Sequence, residues 1–464
     1  MKNLQLFLSV CALAFFTHCS KNDNEVDPNN MEEEEPPVIE LSDAKAITNF
    51  QLIDSDILCL SEISNEIDQA TLEINIVVPY YSDISSITPF TVISDKASIN
   101  PTDPQDFGSP VTYTVTAEDG TSNAYIVNVS LGPSDKEVLV AIYDANPTNT
   151  LNWNINNDNL SEWEGITVNE NGRVSEINLQ ARNISTMPIE IGQLCDLTWF
   201  LTYNNPIQFV PDEFGNLANL NLLAILSTEL NTLPSTIGNL SNLVTLTIAN
   251  SNLNEIPVEI SQLTDLETID LVGNSLTELP NEIGQLENLR ILVLSSNPLL
   301  ELPAELGNLS NLETLAVGNS QLTSLPGEIG GLTNLIELSM PNSLIMSLPT
   351  EIGLLSNLTD LNISYNNISS LPEEIGQLTN LENFQLQNNS IINMPLGLGD
   401  AIGMTFLRAD NNELNSIPLE IGQLINLDFL FLSGNNLTSI PQEVCDLETN
   451  YGTTIFKDGG VTCN

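Results

Sequence analysis

The sequence predicts a solenoid of 23-residue units preceded by an all-β sandwich. Parallel strands should line the concave face of the solenoid, and short helical or irregular turns its convex face. Three observations carry this expectation. Prolines fall at 188, 211, 234, 257, 280, 303, 326, 349, 372, 395, 418 and 441, every step being 23 residues. Counting back from each gives LxxLxLxxNxL, filled in one unit by Leu266, Ile269, Leu271, Asn274 and Leu276. Upstream, residues 41–132 hold short runs rich in Val, Ile, Thr and Tyr, several of them alternating in hydrophobicity between turn residues. Twelve prolines in register demand a repeat architecture. One unit cannot enclose its own leucines, whereas stacked neighbours can.

The chain opens with MKNLQLFLSVCALAFFTHC. Lys2 is a positive start, and Leu4 to Phe16 is an apolar stretch too short for a comfortable membrane span but suited to export. Cys19 closes it. This resembles a bacterial lipoprotein signal, in which the cysteine is lipidated and becomes the mature N-terminus; His18 stands where such signals favour a small residue. The resemblance implies lipidation at Cys19. Ser20 and the acidic residues after it resemble lipoproteins sorted to the outer membrane or cell surface. Ordinary secretion is the alternative. With lipidation, the chain meets the membrane only through its anchor. Residues 20–40 are acidic and nearly free of large apolar side chains, so they read as a flexible tether.

Residues 41–132 read as a small antiparallel β-sandwich, with ITNFQLI, ATLEINIVVP and ITPFTVIS as strands and a hairpin turning at Asp119-Gly120. KASINP followed by PVTYTVTAEDGTSNAYIVNV resembles immunoglobulin-like domains near the N-terminus of bacterial surface lipoproteins. That resemblance names no ligand, and a stalk or spacer fits it. Residues 133–173 read as an end cap, with a short amphipathic helix at Lys136 to Tyr143 followed by Trp153 and Trp163. The run WEGITVNENGRV resembles the N-terminal cap of extracellular leucine-rich repeat proteins. Many such caps carry a cysteine pair. None lies between 135 and 173 here, so the two tryptophans must close the solenoid end.

Residues 174–444 resemble the leucine-rich repeat family, which implies a leucine-rich repeat solenoid of twelve repeats. Ile269 and Leu271 turn inward from a strand, while Leu276, Leu279, Ile283 and Leu286 turn inward from the return path. The asparagine column should satisfy backbone groups where the strand ends. It reads Asn205, Thr228, Ser251, Asn274, Asn297, Ser320, Ser343, Asn366, Asn389, Asn412, Asn435, with Arg182 in the end unit. Hydroxyls are expected to do part of the same work. In LPNEIGQLENL, Pro280 suits the first position of a helical turn, Glu282 its positive end, and Gly284 the exit. Glutamate recurs two residues after ten of the twelve prolines, as a solvated edge or a cation stripe. One carboxylate per layer rarely builds a tight cage, so no metal site is expected. Residues 445–464 form a C-terminal cap that a Cys445–Cys463 disulfide would pin; Cys195 is left as a free thiol. A loop of roughly 18 residues closed this way is worth about 3 kcal/mol in the chain-entropy model.

The balance of 10 Lys and Arg against 61 Asp and Glu, a net charge of -51, repels phosphate and excludes nucleic acid as a natural partner. His18 is the only histidine, and it lies in the signal. No GxSxG, GxxxxGK or HExxH occurs. We therefore expect no enzyme and no cofactor. The outward strand positions are where a ligand would bind. They carry Trp199, Leu201, Tyr203, Leu222, Ala224 and Leu226 near one end. Polar residues such as Thr268, Asp270, Asp360, Asn362, Asn383 and Gln385 occupy the middle, and Phe406, Arg408, Asp410, Phe429 and Phe431 the other end. Exposed aromatics rimmed by polar groups suggest an interaction site, unless a cap or the sandwich covers them. The expectation is a monomeric, adhesin-like or receptor-like protein binder; a glycan-binding accessory protein and a structural envelope spacer are the alternatives.

Overall fold

The computed structural model describes residues 41–52 and 64–464. Cys19, the signal and the tether lie outside the described residues, as does Cys59.

Among the described residues seven strands build the N-terminal domain: β1 (Ile47–Gln51), β2 (Ser64–Asp68), β3 (Glu73–Val78), β4 (Phe90–Ile93), β5 (Ser98–Asn100), β6 (Val111–Thr116) and β7 (Ser122–Leu131). One sheet has the order β2-β3-β7-β6-β5, and β1 pairs with β4 in a second. Alternation buries Ile74, Ile76 and Val78 from β3, Tyr113 and Val115 from β6, and Tyr125 and Val127 from β7. The rings of Phe50 and Tyr113 meet edge to face at 5.1 Å between the sheets. The expected hairpin is present between β6 and β7, with Gly120 at φ +84 in its turn. The sheet is not purely antiparallel, however: β7 runs parallel to β3. After β3 the chain leaves to lay β4 on β1, then returns through β5, so the β6–β7 hairpin reaches β3 by a crossover.

Helix α1 (Asp135–Ala145) starts on a capping box in which Ser134 and Glu137 satisfy each other's backbone N–H. At its end the Asn146 side chain donates to Ile142 O and Thr186 O, both at 2.8 Å, and accepts from the Ser185 N–H at 2.7 Å. This ties the helix to the first repeat. Trp153 and Trp163 are buried with ring centroids 5.1 Å apart, closing the end without a disulfide.

The solenoid is one 14-stranded sheet. It begins with β8 (Ile166–Val168), antiparallel to β9 (Val174–Gln180). Then follow β10 (Trp199–Tyr203), β11 (Leu222–Leu226), β12 (Thr245–Ala249), β13 (Thr268–Asp270), β14 (Ile291–Val293), β15 (Thr314–Ala316) and β16 (Glu337–Ser339). The last repeats give β17 (Asp360–Asn362), β18 (Asn383–Gln385), β19 (Phe406–Arg408) and β20 (Phe429–Phe431). From β9 to β20 every pair is parallel and in phase, residue 199 beside 222, 222 beside 245, and so on. One buried column per repeat position therefore runs the length of the domain. Each such leucine contributes about 1.5–3 kcal/mol.

The convex turns are five-residue 3-10 helices such as Asn281–Gln285. Two expectations change there. Proline is not the first helical residue. Pro280 precedes the turn with extended backbone (φ -66, ψ 144), and its carbonyl accepts from the Ile283 N–H at 3.1 Å. Nor does Gly284 serve the exit, since its φ is not positive; a Cβ there would stand 2.2 Å from Glu305 O. Gly215, Gly307 and Gly422 meet the next layer in the same way. The glycine column lets adjacent turns touch backbone to backbone. The contact is to backbone, so it does not select glutamate: Gly215 meets Thr236 O in the same way.

The asparagine column works as a ladder. Asn274 donates to Ile248 O at 2.6 Å and Leu271 O at 2.9 Å, and accepts from the Leu253 N–H at 3.1 Å. Just before it runs a left-handed column, including Asn250 (φ 52), Ser296 (φ 62) and Gly434 (φ 72). A second asparagine ladder, unforeseen, lies on the ascending flank: Asn311 donates to Glu287 O and Asn334 to Ser310 O, at 2.8 and 2.9 Å.

At the far end β21 (Ser439–Ile440) leads to helix α2 (Gln442–Asn450), which replaces the twelfth 3-10 turn. Strand β22 (Thr454–Phe456) then adds to the main sheet beside β20, and β23 (Thr462–Cys463) pairs with β21. Cys445 and Cys463 are bonded, S–S 1.96 Å, and Cys195 is buried.

Candidate ligand-binding face

Strand alternation sends one residue inward and the next onto the concave face. On β10, Phe200 and Thr202 are fully buried, while Trp199 and Tyr203 are 52% and 41% exposed. Leu201 between them is half-buried, as are Leu222 and Leu226 on β11; Ala224 is buried. The register sets Trp199 beside Leu222, Leu201 beside Ala224 and Tyr203 beside Leu226. The structure thus brings these sequence-picked residues into one patch. On its other side β9 presents Glu176 beside Trp199 and Gln180 beside Tyr203, giving a polar rim.

The sandwich domain meets the solenoid elsewhere. The Arg173 guanidinium lies over the Tyr81 ring, 3.6 Å from its centroid. Buried Asp135 holds that arginine, Nε to Oδ2 3.3 Å, and accepts the Val174 N–H at 2.7 Å. Covering of the first patch, the alternative open from sequence, is not found among the described residues, where Trp199 and Tyr203 remain exposed.

At the far end Phe406 lies 5.4 Å from Phe431 and 6.3 Å from Phe429, centroid to centroid. Phe431 stacks on Phe456 at 4.4 Å and 5°. Sequence reasoning missed Phe456. Its signal was the alternation in TTIFKD, which continues the strand pattern beyond the last repeat. Phe429 and Phe456 are 43% and 42% exposed; Phe406 and Phe431 are half-buried. Arg408 donates through Nε to Asp410 Oδ1 at 2.9 Å. Asn383 donates to Asp360 Oδ1 at 3.1 Å. The polar middle residues stand half-buried between the two aromatic ends, which the structure does not bring together.

A groove of about 630 Å³ runs along the ascending flank, where Arg290, Glu313, Asn311 and Asn334 are among its lining. Its asparagines are those of the second ladder, and Arg290 is clamped by both Glu313 oxygens at 2.8 and 2.9 Å. Among the described residues no group of three or more His, Cys, Asp or Glu side chains is placed to hold a metal ion. No helix among them is long and apolar enough to cross a membrane.

Comparison with known proteins agrees with this geometry. Residues 246–335 and 281–361 match the family described as leucine-rich repeat region, and 357–378 and 426–447 match leucine rich repeat. Residues 47–129 match SGBP, N-terminal. A solved TDR receptor is 25% identical over 62% of this chain and 54% of its own, with a TM-score of 0.53. This chain therefore spans about half of that receptor. A leucine-rich repeat protein of Leptospira interrogans is 29% identical over 60% of this chain and 87% of its own (TM-score 0.36). An internalin of Listeria monocytogenes is 22% identical over 61% and 86% (TM-score 0.47). No curated protein matches the chain. The repeats form a leucine-rich repeat solenoid, and the all-β domain before them is similar to SGBP, N-terminal.

Proposed function

We propose that the chain is a non-enzymatic, surface-displayed binding protein, adhesin-like or receptor-like, that takes a protein ligand on its concave face. It acts as a monomer, exported and held at the outer membrane or cell surface by lipid on Cys19. In this reading residues 1–19 are the signal, 20–40 the tether, 41–132 the presenting domain, 133–173 and 445–464 the caps, and 174–444 the twelve repeats. One observation carries it: Trp199 and Tyr203 stand exposed over a floor of Leu201, Leu222 and Leu226, away from the sandwich contact at Tyr81. Exposed aromatics above packed aliphatics are the usual anchors of a protein interface.

The test is a surface-protein array probed with the mature chain lacking only its lipid. Trp199→Ala with Tyr203→Ala should weaken a captured ligand about tenfold or more, while the melting temperature moves by only a few degrees. Unchanged capture by the double variant would refute this face as the site.

A glycan-binding accessory role is the second reading. The match to SGBP, N-terminal favours it, together with the planar amides beside the phenylalanines.

A further inference from the structure

We infer that the C-terminal end of the concave face is a subsite for an uncharged glycan chain. The inference rests on the glycan reading above and gives it a place and a ligand class. Three independent features converge there.

The first is the ring cluster. Phe429 and Phe431 follow each other along β20 with centroids 6.4 Å apart, and Phe456 stacks beside Phe431 from β22 at 4.4 Å, so the three rings form a corner. The outer two are more than two-fifths exposed. A pyranose presents a face of C–H groups, and an aromatic face carries the negative quadrupole that attracts them. Strand β22 lies after the last repeat, so the cap itself supplies one ring of this cluster.

The second feature is a pair of unmet acceptors. Asn383 Oδ1 and Gln387 Oε1 are shielded from water and have no hydrogen-bond partner among the described residues, and Gln387 is 4% exposed. Asn383 pairs in register with Phe406, and Gln385, two residues before Gln387, pairs with Arg408. Alternation places both acceptors on the concave side. Unpaired buried acceptors are costly, and a ligand hydroxyl that reaches them relieves that cost. Sugar hydroxyls are such donors, and a planar amide spans two neighbouring ones.

Charge is the third feature. The chain carries a net charge of -51, and the patch's own cation, Arg408, is already held by Asp410 at 2.9 Å. Asp360 sits beside Asn383. A uronate or sulfated chain would meet these carboxylates and the field behind them. A neutral chain carries no charge for them to repel.

The test is affinity electrophoresis of the mature chain lacking only its lipid. Gels contain laminarin, xyloglucan, mannan or starch, with alginate and polygalacturonate as anionic counterparts. At least one neutral polysaccharide should retard the protein. Phe429→Ala with Phe456→Ala should weaken that retardation about tenfold, as removal of two central aromatic contacts does. Asn383→Ala, which removes one of the unmet acceptors at a half-buried position and guards against loss of folding in the aromatic variant, should weaken it about threefold, by loss of one hydrogen bond. Trp199→Ala with Tyr203→Ala should leave it unchanged. The inference is overturned if no neutral polysaccharide retards the chain, if an anionic one retards it more, or if the aromatic variant is retarded like wild type. Capture of a protein that Phe429→Ala with Phe456→Ala abolishes would also overturn it, because this end would then take a peptide. Protein capture lost only in the Trp199 and Tyr203 variant, with no polysaccharide retardation, would sink the inference and leave the protein-binding proposal standing.

Discussion

Thr228 and Ser251, 23 residues apart, share a hydrogen bond from hydroxyl to hydroxyl at 2.9 Å inside the column that asparagine fills in most layers. Ser320 and Ser343 do the same at 2.8 Å. Hydroxyls therefore replace asparagine in neighbouring pairs. A short side chain cannot reach the previous layer's carbonyl as Asn274 does, so two of them complete each other. Ser251→Ala should cost about 1–3 kcal/mol, the range for stranding a buried polar group. Thr228→Asn with Ser251→Asn should be more stable than either single change, because only the pair rebuilds the ladder. Urea denaturation of the four proteins measures the coupling.

Gly284→Ala should destabilise the chain by about 1–3 kcal/mol, because the added methyl meets the Glu305 carbonyl at 2.2 Å and neither backbone can withdraw. Gly459→Ala is the control. Nothing lies within 4 Å of a Cβ there, and its backbone is not left-handed. That change should fall within about 0.5 kcal/mol of wild type. Equal effects at the two sites would mean that the glycine column is not a layer contact.

The Ser134 backbone N–H, then its hydroxyl, hold the Glu137 carboxyl below its ordinary 4.5. A carboxyl with a depressed folded value contributes stability above its unfolded value, and that contribution fades as pH falls through the folded value. Glu137→Gln should accordingly lower the melting temperature at pH 7 and make no difference near pH 3. A difference that persists in acid would show that the carboxylate charge is not what the capping box uses.

Thermal stability should rise with NaCl. The net charge of -51 repels itself at low ionic strength, and salt screens charges separated by more than about 10 Å at 0.1 M. A melting temperature that stays flat or falls between about 0.02 M and 0.5 M NaCl would count against self-repulsion as a limit on this fold.

What could be read in advance was whatever repeats with a single physical meaning. Twelve prolines and the leucine columns defined the solenoid, because burying them demands stacking. The glycine column was visible yet misread, since the same letter serves a left-handed exit and a close contact, and only the next layer tells which. The left-handed column was hidden in doublets such as Asn388-Asn389, where the first asparagine turns the chain and the second satisfies it. The candidate face followed from alternation alone. Phe456 did not, because it lies past the last repeat, where the period no longer guides the eye. Nor could alternation foretell that the sandwich would meet the cap through Tyr81 and Arg173, a contact between segments with no shared pattern.

The in-phase register makes the sheet a ruler. Between β11, at the edge of the first aromatic patch, and β19, at the edge of the second, lie eight strand steps, roughly 38 Å at about 4.8 Å each. Both ladders, the glycine contacts and the leucine columns join only adjacent layers, so a whole 23-residue unit could be lost or duplicated between them without disturbing either end. A lineage that gains or drops one such unit would keep both aromatic patches intact and alter only the distance between them.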